Sequence, residues 1–437
     1  MLRPSGFIEY SPAEQRLFDQ ISSIISDTYE SFGYTHIHTP AVEANSVLLS
    51  KNGEETGKQI FGLYGLAQGS QDLKDYSLHF DLTVPFARYI LDRESDLSFP
   101  FKRYQIQPVW RGERAQKGRF REFFQCDIDT IWKKDTGDYL FYDAEVIFTL
   151  SQTLSNILKV VNLDDTAIMH ISNKKLILGF LQNLVPDDKI QPIASLIDKY
   201  SKIGLDNFKS SILDMEVSLE IFDKIHSFIT TKTSLIEVDK IASFSDAPLF
   251  LQGFNELKEV AHKLESFQSA FQTNHQILVD LQIIRGLDYY TGTVFEATLH
   301  KDPALGSICG GGRYETLTGF IDPKKDNYAG VGGSIGITRL LSKLFAEQKQ
   351  SQNTCASYLF LYFPETLSEI LSLASTFISE GKKVEIYPSN DKLGKQFGLA
   401  DKKGIPNVVI LGEGEKQAGI YKIKNMQTGE EISIPKN

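Results

Sequence analysis

Apolar positions along this chain recur in three textures, each predicting different structure. Leu17, Ile21, Ile24, Ile25, Thr28 and Phe32 fall three or four apart, the period of a helix with one buried face. Ser11-Pro12-Ala13-Glu14 opens it: Ser11 can cap, Pro12 fits the first helical position and Glu14 can close a capping box. Gly33 stops the helix, and Thr35 to Thr39 alternates as a short strand that Pro40 ends. Residues 78–90 and 103–132 read as strands, the second stretch divided by a polar, Arg-rich hairpin loop at 111–121 whose turns come from Gly112 and Gly118. A helix is expected at about 138–160 and a strand from Ala167 to Ile171.

From Asn173 to about His275 glycine becomes rare. LILGFLQNL, ASLIDKYSKI, VSLEIFDKIHSFI and LKEVAHKLESFQSAF have the spacing of amphipathic helices. This middle stretch therefore reads as an all-helical insertion without a catalytic cluster. Strand texture returns at 277–299, followed by glycine clusters at 306–312 and 330–336 and a helix start at Ile337 to Leu341. Residues 347–357 are polar and unpatterned, as in a linker. Beyond them YLFLYF, KVEIY and NVVIL alternate with helical stretches at about 365–380 and 391–403, which predicts a small α/β domain with a partly parallel sheet.

A length of 437 residues exceeds one ordinary core and implies two or three domains. No apolar run approaches the roughly 20 residues of a membrane helix. The N-terminal MLRPSGFIEYSPAEQ has no hydrophobic signal core, so a cytoplasmic protein without a membrane partner is expected. Cys126, Cys309 and Cys355 lie far apart and the histidines form no HExxH, so neither a disulfide framework nor a zinc ion is expected. A net charge of -10 argues against a general nucleic-acid coat and leaves RNA binding to local patches. The tail from Lys382 holds ten lysines against seven acids, which a solvated surface explains equally well.

The densest chemistry lies in residues 101–132, FKRYQIQPVWRGERAQKGRFREFFQCDIDTIW. It sets Arg111, Arg114, Arg119 and Arg121 beside Glu113, Phe123, Gln125 and Asp129. Guanidinium forks grip phosphate oxygens bidentately and keep their charge. Phe123 can stack on a purine, and Glu113 can accept the adenine amino hydrogens. A salt-laced surface hairpin has the same composition, so the loop gains meaning from its company. No GxxxxGK[ST] is present, and the glycines at 330–336 follow no βαβ unit, so neither a P-loop nor a dinucleotide fingerprint fits. Those glycines suit close packing of a strand and helix beside a nucleotide, with Arg339 reaching a phosphate or the adenine face.

A second substrate is suggested by Arg285, Asp288, Tyr289 and Tyr290, which lie within six residues. Gly286 lets the backbone aim the guanidinium of Arg285 inward, towards either a carboxylate or an α-phosphate. Asp81 and Thr83 suit an ammonium. Asp129, Tyr290 and Tyr314 suit an imidazole, which when neutral has one donor and one acceptor nitrogen. A pocket bonding both nitrogens rejects analogues by about 10⁴–10⁵. On these residues alone, any small amino acid with a polar side chain is admitted.

These stretches resemble the histidyl-tRNA synthetases, a family of class II aminoacyl-tRNA synthetases. Arg111-Gly-Glu-Arg114 through Arg119-Phe-Arg-Glu-Phe123 is similar to class II motif 2, and Gly332 to Leu341 to motif 3 with Arg339 its arginine. The helix and strand ending at Pro40 resemble motif 1, a dimer-interface element. RGLDYYTGTVFEA (285–297) and GGGRYETL (310–317) resemble the histidine-specific segments, and FDLTVPFARY (80–89) the amino-acid-binding strand.

The resemblance implies an α+β fold: an antiparallel class II sheet flanked by helices, an all-helical insertion and a C-terminal α/β anticodon-binding domain. It divides the chain into catalytic core at 1–173 and 275–345, insertion at 174–274, linker at 346–356 and anticodon domain at 357–437. It implies that Asp81, Thr83 and Gln125 bind the histidine ammonium, and that Asp129 and Tyr290 read the imidazole while Tyr289 and Tyr314 close the pocket. It assigns Arg111 and Arg285 to the α-phosphate, Arg285 also to the carboxylate, Arg119 and Arg339 to the triphosphate tail, and Gln116 to the tRNA acceptor end. Implied partners are L-histidine, tRNA(His), ATP with Mg²⁺, and a second copy of the chain. Thr338 departs from the pattern, standing where the family usually carries an acid. A non-catalytic relative, the regulatory subunit of ATP phosphoribosyltransferase, shares the core but usually lacks the RGLDYY segment and the terminal domain. A class II synthetase for another amino acid would lack the two histidine-specific segments, and a structural RNA-binding protein would lack an ATP site.

Overall fold

The computed structural model describes residues 4–436 apart from 51–58, 66–74, 115–119, 135, 137–138, 285–288 and 348–353. Gln116, Arg119, Arg285 and Asp288, and most of the expected linker, lie outside the described residues. The described chain forms two compact units, residues 1–8 with 21–343 and residues 9–20 with 344–437.

Helix α1 (Pro12–Ser31) begins where the sequence places it, with Glu14 accepting from the Ser11 N–H at 2.7 Å. Strand β1 (Thr35–His36) is shorter than expected and pairs parallel with β5 (Phe101–Trp110). Strand β5 runs antiparallel to β6 (Glu122–Lys133), joined by the Arg-rich loop. Helix α3 (Tyr139–Val160) follows, then β7 (Ala167–Asn173), β8 (Lys232–Ser234), β9 (Gln276–Asp280), β10 (Thr293–Leu299), β11 (Cys309–Tyr314) and β12 (Tyr328–Ile335). The strands form one sheet in the order β1-β5-β6-β12-β11-β10-β7-β9-β8. It is antiparallel except at the β1–β5 and β7–β9 pairs. The buried rows of α3, apolar residues such as Leu150 and Leu154 together with Asp143, Thr149 and Thr153, cover one sheet face. Helix α9 (Ile337–Glu347) leaves the end of β12.

Two expectations are corrected here. Residues 78–90 are not a strand: only β4 (Tyr76–Leu78) is extended, and Thr83–Arg93 is helix α2. The Asp81 carboxylate accepts the Val84 N–H at 3.1 Å and so caps this helix. Pro85 sits in the first turn, where its missing N–H costs nothing. Leu82, Phe86, Ala87 and Ile90 form its buried face. Strand β4 belongs to a small antiparallel sheet, order β2-β4-β3, with β2 (Val42–Ala44) and β3 (Gly62–Leu63). The middle stretch is helical in α4 (Lys174–Gln182), α5 (Asp187–Asp198), α6 (Tyr200–Asp214), α7 (Leu219–Ile229) and α8 (Pro248–Ala270), but it is not all-helical. Strand β8 extends the large sheet, and Lys232 on it meets the buried Asp280 of β9 at 2.8 Å. Three residues of edge pairing are too short to leave a periodicity in the sequence.

The second unit carries its own sheet, order β14-β13-β15-β16-β17. Strands β13 (Tyr358–Phe360), β14 (Val384–Ile386) and β15 (Asn407–Ile410) are parallel, and α10 (Leu367–Ser379) and α11 (Leu393–Lys403) lie between them in sequence. Strands β16 (Ile420–Asn425) and β17 (Glu431–Pro435) add an antiparallel hairpin that makes the sheet mixed. Leu359, Phe360, Val408 and Phe377 are buried in its core.

Candidate active site

Side chains alternate along a strand, and on the β5–β6 pair this sorts polar from apolar. One face carries Arg103, Gln105 and Gln107 opposite Asp129, Asp127 and Gln125. The register continues across β12, where Asp129 faces Gly332 and Asp127 faces Ser334, and on to β11, where Gly332 faces Gly312 and Gly330 faces Tyr314. Polar groups thus border a floor without side chains. A Cβ on Gly332 would lie 1.9 Å from Asp129 Oδ1, and one on Gly312 would lie 2.8 Å from the ring of Tyr290. Glycine is required at both positions because the space above is taken.

At the centre is Asp129, 4 % exposed. The Tyr314 hydroxyl donates to its Oδ1 at 2.6 Å, and Arg103 Nη2 lies 2.6 Å from its Oδ2. Arg103 is fully buried and stacks over the Phe86 ring of α2 at 4.2 Å. Tyr289 stacks on Tyr314 with centroids 5.2 Å apart, and Tyr290 tilts against Tyr289 at 4.9 Å. Thr83, the first residue of α2, lines a cleft with Tyr289 and Leu317. Gln125 Nε2 lies 3.5 Å from both Asp127 Oδ1 and Ser334 Oγ, and its buried Oε1 has no hydrogen-bond partner among the described residues. That oxygen is an acceptor available to a bound donor.

Burial pushes the Asp127 carboxyl up to about 7 and that of Asp129 to about 6, with Arg103 pulling both back down. The field of Asp81 raises both, and the Tyr314 hydrogen bond lowers Asp129. Two carboxylates flank one guanidinium, since Arg103 Nη2 is also 3.9 Å from Asp127 Oδ2.

The expected nucleotide residues gather where β5 and β6 meet their connecting loop. Arg111 Nε donates to the Phe80 carbonyl at 3.1 Å, and its guanidinium lies 4.9 Å over the Phe123 ring. Glu113 is half-buried two residues further along. Thr338 Oγ1 accepts the Phe124 N–H at 2.9 Å, which ties the start of α9 to the start of β6. The hydroxyl so supplies the acceptor that an acid at this position would offer. Arg339 Nη1 donates to the Ser307 carbonyl at 2.6 Å, beside Gly306 in left-handed conformation. The structure thus brings Asp81, Thr83, Gln125, Asp129, Tyr289, Tyr290 and Tyr314 to one region of the sheet, and Arg111, Phe123 and Arg339 to its neighbouring end. The sequence reading missed Arg103 and Asp127. The signal for both was the alternation Arg103-Gln105-Gln107 and Gln125-Asp127-Asp129. Among the described residues, no cluster of three His, Cys, Asp or Glu side chains could hold a metal ion.

The fold is that of a class II aminoacyl-tRNA synthetase. Residues 6–340 match the histidyl-tRNA synthetase family model, and residues 363–437 match an anticodon binding domain. The chain belongs to the histidyl-tRNA synthetase family. The histidine–tRNA ligase of Clostridium tetani (strain Massachusetts / E88) is 38 % identical to it, over 99 % of this chain and 96 % of that one. The crystal structure of histidyl-tRNA synthetase from Nostoc sp. PCC 7120 matches with a TM-score of 0.87 at 35 % identity, over 99 % of this chain and 96 % of that one. A structure described as an ATP phosphoribosyltransferase regulatory subunit/histidyl-tRNA synthetase from Bacillus halodurans C gives a TM-score of 0.72 at 19 % identity, over 91 % of this chain and 96 % of that one. At that identity the likeness is one of fold alone. Among the described residues, no helix is long and apolar enough to cross a membrane.

Proposed function

We propose that this chain is a histidine–tRNA ligase, which activates L-histidine with ATP to histidyl-adenylate and pyrophosphate and then transfers the histidine to the 3′ end of tRNA(His). The observation that carries this reading is the buried Asp129 carboxylate, held between the Tyr314 hydroxyl and Arg103 above a glycine floor. A fixed carboxylate at the base of an aromatic pocket is an acceptor for an imidazole N–H.

In this reading Asp129 and Tyr290 bind the imidazole, with Tyr289 and Tyr314 as walls, and Asp81, Thr83 and Gln125 take the ammonium. Arg111 covers one face of Phe123, leaving the other for adenine, whose amino group Glu113 accepts. The histidine carboxylate attacks the α-phosphorus in line as pyrophosphate leaves. Arg111 and Arg285 stabilise the charge that develops on the α-phosphate, while Arg119 and Arg339 hold the departing phosphates. Mg²⁺, when bound with ATP, would supply further charge neutralisation. The 3′-terminal hydroxyl of the tRNA then attacks the adenylate carbonyl, with Gln116 at the acceptor end. A phosphate oxygen of the adenylate takes its proton in this scheme.

We assign the catalytic core to 1–173 and 275–345, the insertion to 174–274, the linker to 346–356 and anticodon reading to 357–437. The chain acts as a cytoplasmic homodimer joined through α1 and β1. Amino-acid-dependent ATP–pyrophosphate exchange tests the reading. Exchange with histidine and none of the other standard amino acids is expected. No exchange from folded protein would sink it in favour of a regulatory subunit of ATP phosphoribosyltransferase.

A further inference from the structure

We propose that Arg103 is a positioning residue for amino-acid selection: its ion pair with Asp129 across the strand pair fixes the carboxylate that reads the substrate's side chain. This rests on the histidine-binding reading of the same pocket.

Three observations carry it. Arg103 is fully buried, so no solvent rewards its charge, and an arginine is kept there only if paired. Its register partner is Asp129 itself, at 2.6 Å. None of its nitrogens has hydrogen-bond geometry to an acceptor among the described residues. It thus acts on Asp129 as a charge and a wedge, clamped from above by Phe86 of α2. Helix α2 begins at Thr83 and is capped by Asp81. Two of the three residues assigned to the ammonium, Asp81 and Thr83, therefore start the element that presses Arg103 onto the imidazole reader. Moving Arg103 would disturb both ends of the bound amino acid.

The groups facing Asp129 are Arg103 on β5, Tyr314 on β11, Tyr289 before β10, Asp81 before α2 and its neighbour Asp127 on β6. Arg103 opposes the effect of burial on both aspartates. Removing it leaves Asp129 protonated to higher pH. A protonated Asp129 that gives its proton to the substrate ring cannot also discriminate by accepting from it. Asp127 keeps its proton to higher pH than Asp129, so Asp127→Asn, which matches its protonated form, leaves the titration of Asp129 in place.

The test is histidine-dependent ATP–pyrophosphate exchange by the full-length protein, with KM for histidine and kcat measured from pH 5.5 to 8.5. In Arg103→Met the KM should rise about tenfold or more at neutral pH, with kcat falling much less. The acid-side rise in KM should begin at higher pH than in the native protein. Asp127→Asn should leave that rise in place, and Arg103→Lys, which restores charge without the planar fork, should recover part of the KM. Histidine's own titration is common to all four proteins and cancels in the comparison. A role in stability alone would lower the active fraction, and so kcat, without moving the KM profile, and would overturn the proposal. If Arg103→Met does not fold, Arg103→Lys decides: a KM profile identical to the native one rejects the proposal. Absence of histidine exchange in the native protein would reject the underlying reading, which is a different result from native exchange with unmoved variant profiles.

Discussion

The large sheet holds two buried arginine–aspartate pairs, one on each face, and they are built differently. On the face covered by α3, Arg313 makes three hydrogen bonds to Asp143, from Nε at 3.1 and 3.2 Å and from Nη2 at 3.0 Å. Thr293 donates a further bond to Asp143 at 2.6 Å, and the Trp132 ring lies 5.4 Å from the guanidinium. On the other face Arg103 meets Asp129 through one close contact, with a second aspartate 3.9 Å away and Asp129 also engaged by Tyr314. The first pair spends its hydrogen-bonding capacity inside the protein. In the second, the Arg103 nitrogens have no hydrogen-bond geometry to an acceptor among the described residues, and Asp129 borders a glycine-floored pocket. A buried ion pair alone therefore says little about function. What distinguishes a site is incomplete satisfaction beside space for a ligand.

Breaking the satisfied pair should have the largest effect. Arg313→Met strands the Asp143 carboxylate, and a loss of about 3–5 kcal/mol is expected, read as a lower urea midpoint. An unchanged midpoint would mean the two pairs are equivalent after all. Next, Gly332→Ala drives a methyl into Asp129. Displacing a reading group by about 1 Å costs on the order of 10²-fold in rate, so exchange should collapse while circular dichroism stays native. Retained exchange would show that the glycine floor is not needed.

Asp127→Asn sharpens the contrast from the side of pH. The folded state holds protons on Asp127 up to about pH 7 and on Asp129 up to about pH 6, whereas an unfolded aspartate releases its proton near about 3.9. Folding therefore takes up protons in this window. The stability from these groups is full below the unfolded value and is lost as pH rises through the folded ones. Asp127→Asn should raise stability at pH 8 by something on the order of 1–3 kcal/mol and flatten the dependence between pH 4 and 7. A pH profile parallel to the native one would contradict this. Smallest is Thr338→Val, which removes the acceptor of the Phe124 N–H. It should cost about 1–2 kcal/mol, while Thr338→Ser should cost less. Equal losses would show that packing of the methyl, not the hydroxyl, matters at the junction of β6 and α9.

Much of this arrangement was legible in the chain. The Arg-rich hairpin loop marked β5 and β6 as the strands on either side of it, helical spacing marked α1 and the insertion helices, and the tyrosine and glycine clusters pointed to the pocket. The failures have physical causes. Thr83-Val84-Pro85 looked extended because Thr and Val are β-branched and the residue before a proline is pushed towards extended backbone, yet a capping aspartate and a first-turn proline start a helix equally well. Arg103 was passed over because, Lys102 apart, it lies in a strand of apolar, aromatic and amide residues, and its partner is distant in sequence though opposite in register. Strand β16 is half-buried throughout and β17 is mostly exposed, so no buried alternation marks them.

The order of the sheet also governs how the site comes into being on the ribosome. Strand β6 finds β5 at once through the hairpin, but its other edge waits for β12, with Lys133 pairing to Tyr328. At about 5–20 residues per second, β6 stays one-sided for on the order of tens of seconds, holding Asp127 and Asp129 without their glycine neighbours. During that interval the nascent chain carries an open β-edge, and the insertion is made while it waits. Slow stretches of translation before residue 328 would lengthen the exposure, and a holding chaperone would find its substrate there.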